Sequence, residues 1–348
     1  MTKQGWTAVI STVLFVVWVM VVALYPVPLI TRSPGDAIVL SGSNSARQVV
    51  TIDRAKTYPV SGYIELPTVS VSTPDAIVTL PQVLLAYLQP SHHVVKRNVV
   101  YPLGIPRTQS QTDEIQKMQI AQRNATVAAL KAAGVPVRSR PAITQVAASG
   151  PAYGKLAAGD LITAVNGTQI DQKSEFQELV GQLDPGTIVK VDVVRAGNPL
   201  SYEITTVASQ DNPQIARIGI EIDNSYDYDP EVHIDLDRQS VGPSAGLALS
   251  LIIYDQLTEE SLIDGRKVAA SGAVSANGEI SPTGGARQKL KSADIASADI
   301  VLIPAGSCAD IEGLSHRARV VKVTKLDDAI SSLTMLKDPQ RADRVPTC

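Results

Sequence analysis

An uninterrupted apolar stretch near the N-terminus is the feature that most constrains how this chain can fold. Residues 6–24 are almost all apolar, and Tyr25 carries the one ionisable side chain between Lys3 and Ile30. About 20 such residues suffice to cross the hydrocarbon core of a bilayer as a helix. The stretch therefore predicts a transmembrane anchor over residues 6–30.

A cleaved signal peptide is the alternative interpretation of this stretch. The hydrophobic region of a signal peptide is about 7–15 residues long and ends in small residues, whereas this one continues into Tyr25-Pro26-Val27-Pro28. Lys3 before the segment and Arg32 after it give a weak charge asymmetry. We expect residues 1–5 to form a cytoplasmic tail, with the rest of the chain outside the cytoplasm.

Composition narrows the range of partners and ligands. The 31 basic and 34 acidic residues are interspersed and give a net charge of −3, so we expect no nucleic-acid-binding face. Aromatic residues make up only 4%, which leaves few platforms for base stacking. The four histidines and two cysteines are scattered, and we predict no metal site.

The two cysteines, Cys308 and Cys348, are compatible with the proposed topology. Outside the cytoplasm they could form a disulfide and hold a C-terminal tail in place. Two independent thiols are the alternative.

Residues 31–139 form an α/β region without recognisable chemistry. Short strand-like segments broken by Gly, Pro and Ser come first, and a short helix is predicted near Pro81–Leu88. A long helix follows, with Thr112 as its N-cap, Ala133 as its last residue and Gly134 as its stop signal.

Residues 140–208 have a regular alternation of strand, turn and helix signals. Asn166-Gly167 is a tight-turn signal between two strands. Ser174 and Gln177 are spaced as a capping box at the start of a helix. The apolar residues of that helix, at helical spacing, are Phe176, Leu179, Val180 and Leu183.

This stretch resembles a bacterial PDZ domain. The likeness lies in SGPAYGKLAAGDLITAVNGTQI, in the capped helix and in PGTIVKVDVVRAG. PDZ domains bind an extended peptide as an added strand, so the resemblance implies peptide binding. The chain has no convincing Gly-Leu-Gly-Phe-like loop ahead of Ala142, and a PDZ fold that only packs against its neighbour is the alternative.

A candidate nucleophile lies at the start of an apolar helix. Gly242-Pro243-Ser244-Ala245-Gly246 comes directly before the apolar run LALSLII, and proline is favoured at the first position of a helix. Ser244 would then lie in the first turn, where unpaired backbone N–H groups could stabilise an oxyanion. Taken alone, the motif is also a common way for a helix to begin.

Lysine is the natural base for this serine, because no histidine stands in a plausible triad motif. Lys289 follows Gly284-Gly285 on a helix whose apolar side is Leu290, Ala293 and Ala296. A lysine acts as a base only when its neutral form is populated, which burial promotes. Lys291, about 200° further round the helix, is the competing lysine. Considered separately, Lys289 is an ordinary surface lysine.

Taken together, the two segments resemble the proteolytic domain of Lon proteases. The likeness covers roughly residues 212–330 and lies in GPSAG, in SGAVSANGEISPTGGARQKL and in DIVLIP. It implies that Ser244 is the nucleophile and Lys289 the general base, with Gly242 and Ala245 in a supporting motif. Ser271 matches a threonine that hydrogen-bonds the lysine in that family.

Two positions depart from the family's pattern. Ala273 stands where Lon proteases often have glutamate, and Ser240-Val241 replaces a polar or acidic approach to Gly-Pro-Ser. Neither change removes the dyad, but both could alter activation or substrate preference.

A phosphate-binding loop of the G-x-x-x-x-G-K-[ST] type is absent from the sequence, so we expect no nucleotide and no other cofactor. An anchor, a PDZ domain and a Lon-like domain in this order resemble the YlbL-type membrane-anchored PDZ proteases of Gram-positive bacteria. The likeness extends weakly into RSPGDA, IELPTVSV and the long helix. It favours a protease domain outside the cytoplasm.

The combined prediction is a multidomain α+β protein. It has an N-terminal transmembrane helix, a β-rich PDZ domain and a Lon-like α/β proteolytic domain over residues 212–348. We expect an ATP-independent serine endopeptidase that cuts exported or membrane polypeptides. By resemblance it would form homo-oligomers, commonly hexamers. The alternatives are a catalytically silent peptide-binding adaptor, an esterase or amidase with the same dyad, and a structural protein of the cell envelope.

Overall fold

The computed structural model describes residues 3–42, 48–73, 75–101, 107–209, 211–236 and 241–348. Within these residues the chain forms two compact units. The first combines Met1–Gly134 with Pro230–Cys348, and the second is Val135–Asp229.

The helices have the following bounds: α1 Lys3–Leu24, α2 Leu80–Leu88, α3 Arg97–Val100, α4 Arg107–Ala132, α5 Lys173–Gly181, α6 Gly246–Leu257, α7 Ala286–Ile295, α8 Cys308–Ile311 and α9 Leu326–Met335. Short 3-10 turns cover Pro243–Ala245, Ala305–Ser307 and Ala342–Arg344.

The strands have the following bounds: β1 Leu29–Pro34, β2 Ile38–Gly42, β3 Val50–Asp53, β4 Tyr63–Leu66, β5 Val69–Val71, β6 His93–Lys96, β7 Arg138–Val146, β8 Leu161–Val165, β9 Thr168–Gln169, β10 Ile188–Arg195, β11 Asn198–Thr205, β12 Val207–Ala208, β13 Ala216–Arg217, β14 Ile220–Asp227, β15 Glu231–Ile234, β16 Lys267–Ala270, β17 Ala273–Val274, β18 Ile280–Ser281, β19 Ile300–Pro304 and β20 Arg319–Val323.

The N-terminal apolar stretch forms a single long helix, α1. Over Gly5–Leu24 its mean hydropathy is 2.6, and none of this segment is buried in the structure. By length and composition it could cross a membrane, and a signal sequence would satisfy the same two criteria.

The first unit is built on a five-stranded sheet with the order β2-β4-β16-β19-β20. β2 is antiparallel to β4, and the other neighbours run parallel. Alternate side chains face opposite sides of a sheet, and each side packs against its own helix. Val268 and Leu302 belong to the core that contains α6, whereas Ala269 and Val301 pack in the cluster that contains α7. Both faces of the parallel strands are thus covered, which explains their continuous apolar runs.

The long helix α4 packs on α6 through small side chains. Ala125, Ala128 and Ala129 are buried in the same core as the apolar residues of α6. The Ser250 hydroxyl of α6 donates a hydrogen bond to the Ala125 carbonyl oxygen at 3.2 Å. Small residues let two helix backbones come close, so α4 packs directly on α6, the helix that follows the Ser244 turn.

The region 31–139 does not form a unit of its own. Its strand β4 pairs in parallel with β16, and its strand β3 pairs with β15. The sequence predicts 31–139 and 212–348 as separate regions, whereas the compact unit joins most of both. Pairings between strands about 200 residues apart leave no local mark on the sequence, because they depend on which apolar faces are buried together.

The second unit is an antiparallel sheet of order β11-β10-β8-β7-β14, with β9 beside β8 and with α5 packed on it. β14 lies beyond residue 208, the predicted end of the PDZ-like domain. It pairs with β7 along its whole length.

Two predicted helix starts are wrong. α4 begins at Arg107, so Thr112 lies inside the helix. α5 begins at Lys173 with Gln172 as its N-cap. The Glu175 carboxylate accepts hydrogen bonds from the backbone N–H groups of Asp171 and Gln172 at 2.8 and 3.2 Å. A carboxylate near the positive end of a helix is favoured, and it replaces the predicted pairing of Ser174 with Gln177.

Candidate active site

Ser244 lies in the 3-10 turn that leads into α6. Gly242 has an extended backbone and Pro243 occupies the first helical position, as the motif predicts. The Ser244 carbonyl oxygen accepts a hydrogen bond from the Gly272 N–H at 2.8 Å. The Leu247 N–H in turn donates to the Gly272 carbonyl oxygen at 2.9 Å. These two bonds hold the serine turn against the carboxyl end of β16.

Lys289 lies in the first turn of α7, which begins after Gly285. Gly285 has a φ of +72°, and a Cβ atom there would lie 2.8 Å from Val69 Cγ2, so this position requires glycine. The Lys289 side chain is buried, with 6% of the residue exposed. Lys291 is exposed on the opposite side of α7, in weak contact with Asp294, as its helical position predicts.

The structure brings Ser244, Lys289 and Ser271 together at the carboxyl end of β16. Lys289 Nζ lies 2.9 Å from Ser244 Oγ and 2.8 Å from Ser271 Oγ. α6 and α7 cover opposite faces of the sheet, and their first turns meet where β16 ends. Ligand sites of open α/β sheets lie at this edge of the strands.

Burial lowers the pKa of Lys289 to about 8 from the ordinary value of 10.5. The charged form loses its hydration inside the protein, and the neutral amine is favoured. At pH 7.5, a pKa of about 8 leaves roughly a quarter of the amine neutral, compared with about one part in a thousand for an ordinary lysine. The environment of Lys289 therefore favours the form that can accept a proton.

Thr283 is a third hydroxyl on Lys289 that sequence reasoning missed. Thr283 Oγ1 accepts a hydrogen bond from Lys289 Nζ and lies 3.2 Å from Ser271 Oγ. Its own N–H donates to Ser307 Oγ at 3.0 Å, just past the end of β19. The sequence signal that could have found it is its position directly before Gly284-Gly285, within the motif that carries Lys289.

The remaining motif residues have structural positions around the dyad. Ala245 is fully buried, and its N–H donates to the Gly242 carbonyl oxygen at 3.1 Å. Ala273 begins the short strand β17, which pairs with β18. Val241 is buried in the core of the unit, and Ser240 lies outside the described residues.

Cys308 and Cys348 are joined by a disulfide in the structure, with their Cα atoms 5.1 Å apart. The bond connects the start of α8 to the segment after Val345. The side chain of Val345 itself is buried in the core. The Lys322 N–H of β20 also donates to the Pro346 carbonyl oxygen at 2.9 Å. The C-terminal segment is thus attached at three points.

The PDZ unit carries a groove of about 680 Å³ between α5 and β14. Its lining includes Phe176, Val180, Ile215, Ile218, Ile220 and Ile222. β14 ends the sheet order, so among the described residues its outer edge has no partner strand along it. An apolar groove beside a free strand edge is the geometry for binding an extended peptide by strand addition.

The glycine-containing turn at this groove comes after the other strands of the sheet, and not ahead of Ala142 where the family's pattern places such a loop. Ile218-Gly219-Ile220 leads into β14 and lines the groove. Gly219 has a φ of +76°, and a Cβ atom there would lie 2.8 Å from Gly150 Cα. The strand that borders the groove is therefore supplied by the C-terminal part of the unit.

Asp53, Glu231 and His233 form a cluster of exposed side chains on β3 and β15, with their ligand-type atoms within 4.8 Å of one another. His233 Nε2 lies 3.5 Å from an Asp53 oxygen, and Arg54 pairs with Glu231. Glu231 already has a cationic partner in Arg54, and we assign no metal to the cluster.

Comparison with known proteins finds two kinds of relative. The family model described as PDZ domain matches residues 114–206. Lon protease 1 of Myxococcus xanthus is 25% identical over 203 residues, which is 56% of this chain and 24% of that protein. The Lon protease of Heliobacterium modesticaldum is 25% identical over 132 residues, 36% of this chain and 16% of that protein.

A shorter match is to the periplasmic pH-dependent serine endoprotease DegQ of Escherichia coli. It is 39% identical over 57 residues, 16% of this chain and 12% of that protein. The chain thus spans about a quarter or less of the length of these curated relatives. Among solved structures, the PDZ domain of an SdrC-like protein from Listeria monocytogenes is 25% identical with a TM-score of 0.23. That match covers 24% of this chain and 86% of the other.

The chain therefore contains a PDZ domain, and its sequence relatives support a relation to PDZ- and Lon-type proteases. The family model begins inside α4 and ends before β14, so its bounds differ from those of the compact unit.

Proposed function

We propose that this protein is a membrane-anchored serine endopeptidase that works without ATP, with Ser244 as nucleophile and Lys289 as general base. One observation carries the proposal: a buried lysine amine lies 2.9 Å from a serine hydroxyl, and its other hydrogen-bond partners are hydroxyl groups. A lysine in this setting has little use in a structural ion pair and is suited to take up a proton.

In the first half of the reaction, neutral Lys289 Nζ takes the proton of the Ser244 hydroxyl as Oγ bonds to the carbonyl carbon of a peptide. The backbone N–H of Ser244 itself stabilises the oxyanion that develops, because the N–H groups of Ala245, Gly246 and Leu247 already donate to carbonyl oxygens. The protonated lysine then gives this proton to the leaving nitrogen, and the carbon–nitrogen bond breaks. Ser244 is left as an acyl ester, and Lys289 is neutral again.

In the second half, Lys289 takes a proton from a water molecule that attacks the ester carbonyl. The ester bond breaks, Ser244 Oγ regains a proton from Lys289, and the acid product leaves. Ser271 and Thr283 accept hydrogen bonds from the other two Nζ–H groups. They orient the amine in both its charged and its neutral form.

The substrates in this proposal are extended segments of exported or membrane proteins. α1 anchors the protein in the cell membrane, the N-terminus lies in the cytoplasm, and the catalytic unit lies outside. The disulfide is consistent with an oxidising compartment. The PDZ groove binds a polypeptide segment, and the protein assembles into a ring, commonly a hexamer in Lon-like proteins. These features together make a YlbL-type protease.

The test is cleavage of casein, an unfolded protein, by the full chain in nanodiscs without nucleotide. Wild type, Ser244→Ala and Lys289→Ala are compared with Lys291→Ala, a matched control on the exposed side of the same helix. We expect cleavage by the wild type and the control, and a loss of at least 1,000-fold in the two dyad variants.

Equal cleavage by all four proteins would remove the dyad from the mechanism. Peptide binding by a protein that cuts neither casein nor an activated ester would favour the adaptor alternative. Turnover of the ester without cleavage of any polypeptide would favour an esterase.

A further inference from the structure

Helix α2 presents an apolar surface that the folded unit does not cover. Its side chains Leu84, Leu85, Tyr87 and Leu88 are 59–80% exposed, and Ile77 just before it is 74% exposed. Ala86 is the one buried residue of the helix. From Ala76 to Val95 the sequence contains no Asp, Glu, Lys or Arg. A surface helix of a soluble protein normally has a polar outer face, which α2 lacks.

The exposed apolar residues lie on one side of α2. At 100° per residue, Leu80, Leu84, Tyr87 and Leu88 fall within about 100° of arc, and Leu85 widens it to about 160°. Ala86 points the other way, toward the unit, and Val83 at the edge of the exposed arc is half-buried. The apolar surface is therefore directed away from the core.

Backbone pairing holds α2 beside the end of α1. α1 ends at Leu24, and Pro26 forms a β-bridge with Thr79, the residue before α2. The Val27 N–H donates to the Val78 carbonyl oxygen at 2.9 Å. If α1 crosses the bilayer, the start of α2 lies within about two residues of the membrane surface, or roughly 7 Å.

Charged and aromatic side chains near the end of α1 and along α2 are typical of a membrane–water interface. Tyr25, at the end of α1, is 64% exposed, and Tyr87 of α2 is 80% exposed. Tyrosine is enriched at the boundary between hydrocarbon and water. The first charged residue after the apolar run is the exposed Lys96, which suits the headgroups of anionic lipids.

We propose that α2 lies in the outer interface of the membrane and buries its exposed apolar face among lipid headgroups and acyl chains. This inference rests on the membrane anchoring by α1 proposed above. The alternative is that a second copy of the chain packs on this surface. The bilayer is favoured because α2 is tied by backbone hydrogen bonds to the end of the anchor.

The test uses the full chain reconstituted in vesicles of phosphatidylcholine and phosphatidylglycerol. The variants Leu85→Cys and Leu88→Cys are each labelled with an environment-sensitive fluorophore. Nitroxides on the lipids quench a fluorophore in the bilayer, and iodide quenches one in water. Ile295→Cys is the matched control, because Ile295 is a single exposed apolar residue of α7 with 62% exposure. Val13→Cys in α1 reports on the anchor.

We expect the probes on α2 to shift to the blue and to be quenched by the lipid nitroxides, while the probe at position 295 is quenched by iodide. In the unsubstituted protein, lipids with a photoactivatable acyl chain should crosslink within residues 77–88 as well as within α1. This second measurement needs no substitution in α2.

Two results would overturn the inference while leaving the anchor in place. In the first, lipid nitroxides quench the probe at Val13, whereas iodide quenches the probes at Leu85 and Leu88 as strongly as it quenches the probe at Ile295. The other is shielding of α2 that rises with the protein-to-lipid ratio and comes with crosslinks between two copies, which would make α2 an oligomer contact. A Val13 probe in water would refute the anchor and this inference together.

Discussion

At the scale of single residues, the proposed chemistry depends on how one amine is kept neutral. Lys289 has three hydroxyl neighbours, Ser244, Ser271 and Thr283. A carboxylate partner would hold the amine in its charged form, whereas burial among hydroxyl groups shifts it toward the neutral form. The hydroxyls still supply one acceptor for each hydrogen of the amine, so burial does not leave its N–H groups unpaired.

The pH dependence of cleavage should follow the titration of Lys289. Its pKa of about 8 lies below the ordinary value, and only the neutral amine can act as a base. We expect kcat/KM for a casein-derived peptide to rise about tenfold per pH unit below pH 8 and to level off above it. Lys289→Arg should be inactive at every pH from 6 to 10, because arginine stays charged. A flat profile in the wild type would exclude Lys289 as the base.

Thr283 is expected to be a positioning residue for Lys289. Thr283→Val removes one acceptor from the amine at nearly constant volume, which disfavours the charged form by about 1.5 kcal/mol and so lowers the pKa by about one unit. The rising part of the pH profile of kcat/KM should move to lower pH. The plateau of kcat/KM should fall about tenfold, because the amine is less well oriented. Thr283→Ser keeps the hydroxyl and should behave like the wild type. An unchanged limb in Thr283→Val would leave Thr283 with a packing role.

At the scale of secondary-structure elements, the site is made by two helix N-termini that meet past the end of one strand. α6 and α7 pack on opposite faces of the sheet, and β16 ends between them at Ala270, directly before Ser271. The dyad distance therefore depends on how closely the start of α6 approaches the loop after β16.

Gly246 controls this approach. A Cβ atom at Gly246 would lie 3.0 Å from the Val274 backbone N, so Gly246→Ala should push the Ser244 turn away from Lys289. We expect a loss of about 1–3 kcal/mol in the free energy of unfolding and a fall in kcat of tenfold or more. Denaturant unfolding and casein cleavage measure the two effects.

Gly242→Ala is the matched control, because nothing lies within 4 Å of a Cβ atom at that position. Its backbone φ of −92° is open to any residue. We expect its unfolding free energy to stay within about 0.5 kcal/mol of the wild type. Equal losses of stability in both variants would show that space at Gly246 is not the limiting factor.

At the scale of the whole molecule, the proposed peptide-binding groove and the proposed catalytic dyad lie in different units. The PDZ unit has its own core and its own groove, and the unit that carries Ser244 and Lys289 has another core. A change in the groove should therefore alter substrate capture without touching the dyad.

Ile215 lines the PDZ groove and is 36% exposed. Ile215→Asp places a charge in the apolar groove, and we expect KM for casein to rise at least fivefold while kcat stays unchanged. Ile188→Asp is the control, since Ile188 is 61% exposed in the same unit but does not line the groove. A fall in kcat for Ile215→Asp would indicate that the PDZ unit gates the active site.

The disulfide should matter for stability and not for chemistry. It closes a loop with a sequence separation of 40 residues, for which the chain-entropy account gives about 4 kcal/mol of stabilisation. We expect the Cys308→Ser/Cys348→Ser variant to lose about 3–4 kcal/mol of unfolding free energy and to keep its kcat at 25 °C. Reductant should destabilise the wild type and leave the double variant unchanged. No difference in unfolding would mean that the hydrogen bond from Lys322 and the burial of Val345 suffice.

The sequence alone predicts the elements whose signals are local. An apolar run of membrane length forms α1, Gly-Pro-Ser begins the turn into α6, and Gly-Gly precedes α7. The resemblance of these motifs to the Lon proteolytic domain indicated which serine and which lysine to compare. The helix starts predicted at Thr112 and Ser174 are wrong, because several residues near each start could serve as the N-cap. Contacts with the rest of the chain determine which residue does.

Only the tertiary structure decided the rest. β4 joins β16 across about 200 residues, and β14 borders the PDZ groove from beyond its predicted end. Thr283 acquires its role because the chain folds it onto Lys289. Local patterns record backbone propensity and the periodicity of burial. Which buried surfaces meet depends on packing and hydrogen bonding between distant segments, and those interactions act only once the chain is compact.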